Sequence, residues 1–141
     1  MLLRFANKRT QGGFSLIELL VVLVILGIIA SLVVPNILGR LTGAKVKAAQ
    51  AQVTQLSSAI DAYYLDNGNL PDDLRDLVEE PADATFWNGP YVKEALLKDP
   101  WNRKWEYKVP GDQGRKYDLY SLGADESPGG EGENADIKSW E

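Results

Sequence analysis

Three observations predict an α+β fold, in which one long N-terminal helix packs through its second half on a small antiparallel β-sheet. A run of 21 residues, Leu19 to Gly39, carries no charge and follows a short basic start. Apolar residues then recur at helical spacing from Val46 to Tyr63. After Asn67-Gly68 the pattern breaks into short stretches separated by Gly and Pro. A chain of 141 residues has room for one globular domain at most.

The composition excludes several kinds of chemistry. There is no Cys and no His. This removes thiol nucleophiles, Ser-His-Asp triads, imidazole bases and zinc sites built on those side chains. Any metal must be held by oxygen. The 15 basic and 20 acidic residues give a net charge of −5, too acidic for a nucleic-acid binder. Ser15, Ser121 and Ser127 have no base to activate them, and no phosphate-cradling Gly loop is present. The chain is therefore read as non-enzymatic. Its charge is also unevenly placed: residues 1–47 carry +5 and residues 48–141 carry −10. A basic start before an apolar run leaves that start on the cytoplasmic side of a membrane.

The first helix begins near Phe14. At about 1.5 Å per residue the uncharged run makes roughly 30 Å of helix, the thickness of a bilayer core. A secretory signal peptide is the first alternative. Ala30-Ser31 imitates a cleavage site, but the apolar run continues through Leu32-Val33-Val34. A plain anchor is the second, and it leaves Glu18 unexplained. A carboxylate within such a helix costs up to ~2.5–3.5 kcal/mol at the bilayer centre and less near the interface, so Glu18 is read as functional.

The helix continues beyond the apolar run. Val46, Ala49, Val53, Leu56, Ile60 and Tyr63 form one apolar stripe, and Asn67-Gly68 is a C-terminal stop. The stripe is a core-facing surface, which puts the helix at about 14–66. Pro35, with Gly27, Gly39 and Gly43 nearby, is expected to kink or loosen it. Asp72 to Glu79 reads as a short helix ended by Pro81, and Lys93–Leu97 as a helical turn. Trp105–Val109 and Lys116–Ser121 flank the turn cluster Pro110–Gly114 and predict a β-hairpin, with a short third strand at 137–140. Trp87, Trp101 and Trp105 are expected to fill the core. The acid pairs Asp72-Asp73 and Glu79-Glu80 are expected on the solvated surface.

Gly13-Phe14-Ser15-Leu16-Ile17-Glu18 resembles the type IV prepilin signature. The resemblance implies a membrane-embedded prepilin peptidase that cuts between Gly13 and Phe14 and methylates the new Phe14 amine. Cleavage would create an ammonium in apolar surroundings, where an unpaired charge is expensive. Glu18 could supply its partner to a neighbouring subunit and set the register of stacked helices. The resemblance extends to the C-terminus. Tyr63-Tyr-Leu-Asp-Asn-Gly68 with Leu70-Pro71, Gly89-Pro-Tyr-Val-Lys93, Asp99-Pro-Trp101, Tyr117–Asp125, Gly129-Gly-Glu-Gly and Ala135-Asp-Ile137 with Trp140 are similar to the major pseudopilins, the G subunits of type II secretion systems.

That likeness implies a pilin-like fold in three parts: a leader at 1–13, a hydrophobic membrane or filament-core helix at 14–38, and a periplasmic domain at 39–141. It also implies an inner-membrane subunit that joins copies of itself in a helical filament, the pseudopilus. Its other partners would be minor pseudopilins, the peptidase and an assembly platform. Two other functions are compatible with the same sequence: a type IV pilin for adhesion or motility, and a membrane-anchored periplasmic calcium-binding module.

Residues 125–141 hold six acids against Lys138 alone, with Gly129, Gly130 and Gly132 among them. A solvated acidic tail is one reading. A hard cation is the other, since Ca²⁺ takes 6–8 oxygens from carboxylates and carbonyls in a flexible cage. The spacing is not that of an EF-hand. The pseudopilin likeness implies Ca²⁺ in this loop, held by the side chains of Asp125 and Asp136 and the carbonyls of Leu122 and Ser127, with Glu133 or Asn134 supplementary. The chain departs from the family pattern at Asn102 and Glu126, where Gly is usual, and at Asn134, where an acid is common.

Overall fold

The structure, a computed structural model, describes residues 13–141, with the backbone alone at 34–41. Helix α1 runs Leu16–Asn67. It stays helical through Pro35, so the proline does not end it. One lost rung of the ladder is tolerable where neighbouring turns keep theirs. The chain divides between Leu38 and Gly39 into two compact units.

In the N-terminal unit, every described side chain from Phe14 to Val33 is exposed. Leu16–Val33 is long and apolar enough to cross a membrane. A helix that is apolar on all sides needs lipid or other protein around it.

The C-terminal unit has its own core. Ala49, Val53, Leu56, Ile60 and Tyr63 are buried along one face of α1, as the stripe requires, and Val46 packs against them. Leu56 and Ile60 are fully enclosed. The helix stops at Gly68, whose φ of 78° is open to glycine and whose N–H returns to the Tyr64 carbonyl at 2.9 Å. The helix expected over 72–79 is a single 3-10 turn, Leu74–Leu77. Asp73 caps it by accepting the Arg75 N–H at 2.8 Å, while Asp76 accepts the N–H groups of Asp72 and Asp73. Asp73 is exposed, as expected, but it also shapes the backbone by capping the turn. A second 3-10 turn, Glu94–Leu97, lies where one was expected.

Strands β1 (Glu106–Lys108), β2 (Asp118–Ser121) and β3 (Ile137–Lys138) form an antiparallel sheet in the order β1-β2-β3. Tyr107 opposes Leu119, and Ser121 opposes Ile137. Leu119, Ile137 and Trp105 complete the core with Leu77 and Val92, and Trp87 and Trp101 pack at its margin. The Trp87 indole donates to the Asp76 carbonyl at 2.9 Å. Tyr107 donates to the Pro71 carbonyl at 3.0 Å, and burial pushes its phenol well above the usual range.

Candidate functional site

Two places hold the residues singled out by the sequence, one in each unit. At the first, Gly13, Phe14 and Ser15 precede α1 in non-helical backbone. Phe14 is 88% exposed. The Gly13–Phe14 bond therefore lies outside the helix ladder, between exposed residues. Ser15 and Glu18 form a reciprocal capping box. The Ser15 N–H donates to Glu18 Oε2 at 2.8 Å, and the Glu18 N–H donates to Ser15 Oγ at 3.2 Å. Two of the helix's unpaired N–H groups are thereby satisfied. A plain anchor does therefore have a use for Glu18, contrary to expectation: the acid closes the start of its own helix. The Ser-x-x-Glu spacing of 15–18 is the signal that carries this role.

The second place is the C-terminal loop, whose two limbs are tied together twice. The Ala124 N–H donates to the Glu133 carbonyl at 2.8 Å. The Gly129 N–H donates to Asp136 Oδ2 at 3.1 Å. Asp125 lies on the outgoing limb between these ties, and its Oδ1 accepts the Ser127 N–H at 3.1 Å. The limbs touch closely at Gly123: a Cβ there would stand 2.6 Å from the Glu133 carbonyl oxygen and 2.8 Å from that of Ala135. Its φ of 68° also favours glycine. Leu122 leads into this turn directly from β2.

Asp136 is the informative member. Its side chain is 10% exposed, and its Oδ1 is buried with no hydrogen-bond partner. The Lys138 ammonium stands 3.8 Å from the other oxygen, Oδ2. A buried carboxylate oxygen left without a donor calls for a cation or water. Among the described residues no three acids cluster, so a cation here would rely on backbone carbonyls as well as Asp125 and Asp136. An all-oxygen set of this kind fits Ca²⁺.

The two departures from glycine, Asn102 and Glu126, both adopt positive φ, 67° and 57°. The turns survive without glycine because each is held by partners. The Asn102 N–H donates to the Asp99 carbonyl at 2.9 Å, and Glu126 Oε1 lies 2.7 Å from Arg103 Nε. Sequence reasoning missed Asp99 and Arg103. Asp99 is 5% exposed; its Oδ1 accepts the N–H groups of Trp101 and Arg103, and its Oδ2 accepts the Ser121 hydroxyl at 2.6 Å. The Asp-Pro-Trp spacing marks a turn, but nothing local reveals partners some twenty residues away.

Comparisons with known proteins agree across the chain. The family model described as "Type II secretion system (T2SS), protein G" matches residues 36–140, and that of the prokaryotic N-terminal methylation motif matches residues 8–34. The chain is similar to the type II secretion system core protein G of Xanthomonas campestris, with 42% identity covering 96% of this chain and 94% of that one. It is also similar to that of Vibrio cholerae, with 44% identity covering 95% and 94%. Among solved structures, the major pseudopilin from the type 2 secretion system of enterohaemorrhagic Escherichia coli superposes with a TM-score of 0.58 at 31% identity. It covers 77% of this chain and 96% of that one.

Proposed function

The chain belongs to the type II secretion system protein G family, and from that premise we propose that it is a structural, non-enzymatic subunit of a helical periplasmic pseudopilus. In this reading it waits in the inner membrane with residues 39–141 in the periplasm. A prepilin peptidase removes residues 1–13 and methylates Phe14, and an assembly platform adds the subunit to a filament tipped by minor pseudopilins. The growing filament pushes folded proteins towards the outer membrane. One observation carries the reading: the side chains from Phe14 to Val33 are all exposed and, Ser15, Glu18 and Ser31 apart, apolar or glycine, while the core of the C-terminal unit is built without them. Such a rod is at home in lipid or in a bundle of like rods, and identical head-to-tail contacts that do not close on themselves produce a fibre. Family membership favours a secretion filament over an adhesive surface pilus or a monomeric calcium module.

Within this function, Ca²⁺ is assigned to the C-terminal loop. Asp125 and Asp136 would hold it through their carboxylates, and Leu122 and Ser127 through carbonyls, with Glu133 or Asn134 as further oxygens. Bound there, the ion supplies the charge neutralisation that an acidic loop lacks; it takes part in no reaction. The orphaned Oδ1 of Asp136 supports the assignment. At the helix start, Glu18 would exchange its own cap for the Phe14 ammonium of a neighbour.

Mass spectrometry of the membrane-extracted protein tests the reading at its first step. A mature chain beginning at N-methylated Phe14, and loss of exoprotein secretion together with periplasmic filaments on deletion, are expected. An N-terminus left at Met1 in cells containing the peptidase, with secretion intact after deletion, would overturn it.

A further inference from the structure

Arg103 lies outside every motif that marks the family resemblance, yet all three of its guanidinium nitrogens engage the C-terminal loop. Its Nη1 donates to the Gly123 carbonyl at 2.6 Å and its Nη2 to the Ala124 carbonyl at 2.7 Å, while its Nε pairs with Glu126 Oε1 at 2.7 Å. These three partners bracket Asp125 on both sides. Arg103 is itself fixed at its backbone: its N–H donates to Asp99 Oδ1 at 2.9 Å, and its carbonyl accepts the Asp99 N–H at 2.8 Å. Buried Asp99 also takes the Ser121 hydroxyl, whose oxygen accepts the Gly123 N–H at 3.3 Å. The contacts close a ring: Asp99, Arg103, Gly123, Ser121 and back to Asp99.

We infer that Arg103 is the positioning residue of the calcium loop, a clamp that holds the Asp125 segment in its binding conformation before any cation arrives. The inference rests on the calcium assignment made above for the loop. A planar guanidinium can grip two adjacent carbonyls and a carboxylate in one fixed fork, which a lysine ammonium cannot reproduce. The clamp also settles the part played by Glu126. Its carboxylate is committed to Arg103 and serves as an anchor, which takes Glu126 out of the acids available to a metal and leaves Asp125 and Asp136 in the places assigned to them above. A cationic side chain beside a cation site has the wrong sign for direct attraction. Its value is therefore geometric: the pairing with Glu126 cancels its charge while the two carbonyl bonds order the backbone.

The test uses the full chain in detergent micelles. Ca²⁺ is titrated calorimetrically into wild type, Arg103→Lys, Arg103→Ala and Glu126→Ala. Backbone hydrogen exchange is then followed over residues 122–127 in chelator. Loss of groups that hold metal ligands in place sets the scale: Arg103→Lys should weaken Ca²⁺ binding by roughly 10–100-fold. Arg103→Ala should bind no better than Arg103→Lys, and Glu126→Ala should lose less because both carbonyl bonds remain. In chelator the Arg103→Lys loop should exchange faster, while residues 49–63 of α1 keep their protection. Arg103→Lys binding within twofold of wild type, or Arg103→Ala binding more tightly than wild type, would overturn the inference, the latter by showing that charge outweighs geometry. Failure of the wild type to bind Ca²⁺ would sink the calcium assignment. The exchange rates still judge the clamp by themselves: unaltered loop exchange in Arg103→Lys overturns it.

Discussion

Asp136→Asn separates what the C-terminal loop gains from a cation and what it loses without one. The wild-type carboxylate has one oxygen bonded to the Gly129 N–H and one buried without a donor. A buried acceptor left unsatisfied costs about 1–3 kcal/mol. Asparagine keeps an oxygen for Gly129 and replaces the charged group with a neutral amide. The variant gives up the attraction to Lys138 at 3.8 Å, which at a partly exposed pair is worth about 0–1 kcal/mol. In chelator the variant should therefore melt no lower than wild type. With Ca²⁺ the order reverses. At a hundred times its dissociation constant a ligand stabilises the folded state by about 2.7 kcal/mol. For a unit of about a hundred residues, each kcal/mol moves the midpoint by roughly 4–8 °C. Wild type should gain on the order of 10–20 °C and Asp136→Asn almost nothing. The assay is a near-ultraviolet circular-dichroism melt of the detergent-solubilised chain, reporting on buried Trp105. A wild-type midpoint unmoved by saturating Ca²⁺, or an equal gain in the variant, would refute the reasoning.

Glu18→Gln retains an oxygen for the Ser15 N–H but no charge, whereas Glu18→Ala loses both. Both should insert and be processed, and both should assemble poorly, as measured by sedimented filament yield. A normal yield from the glutamine variant would show that the cap, and not the charge, is what assembly uses. Leu56→Ala empties a fully enclosed position and should cost about 2–5 kcal/mol in urea unfolding of the C-terminal unit, a large part of a margin of ~5–15 kcal/mol. Asp118 is held below the ordinary carboxylate range, chiefly by the hydrogen bond from the Arg115 side chain at 2.6 Å and also by the Asp112 N–H. Its folded-state pKa is depressed, so its contribution is complete above the unfolded value of about 3.9 and is lost as pH falls through the lower folded value. Asp118→Asn should flatten the acid limb of the melting-temperature profile below about pH 4. A profile parallel to wild type would remove Asp118 from that role.

Much of the fold was legible because its signals are periodic or local. The stripe from Val46 to Tyr63 names the buried face of α1 residue by residue, and Gly68 ends the helix where its φ of 78° requires. The alternation around Pro110–Gly114 placed the hairpin, although the paired strands are shorter than the patterns that announce them. The segment at 72–79 holds less helix than its pattern predicts. Its acids are caps and its apolar residues Leu74 and Leu77 fit one tight turn, so propensity alone overstated the helix. At the helix start, the Ser-x-x-Glu spacing of 15–18 carries the cap on Glu18, but the acid's place in an apolar run drew the reading to its charge alone. The clamp on the C-terminal loop was not legible. Arg103 reaches carbonyls 20 and 21 positions away, and a backbone carbonyl leaves no mark on the sequence. Glu126 stands out in the sequence only as a residue where Gly is usual, and its pairing with Arg103 is carried by no local pattern.

The completeness of the C-terminal core has a consequence for how a cell could stock this protein. No side chain between Phe14 and Val33 is needed to finish that core, so the head can mature on arrival and stay mature while its greasy stem changes surroundings. In the pseudopilus proposed above, polymerisation would then draw on a standing reserve of ready parts. Its speed would be set by delivery and by removal of the leader, with no waiting for the head to fold.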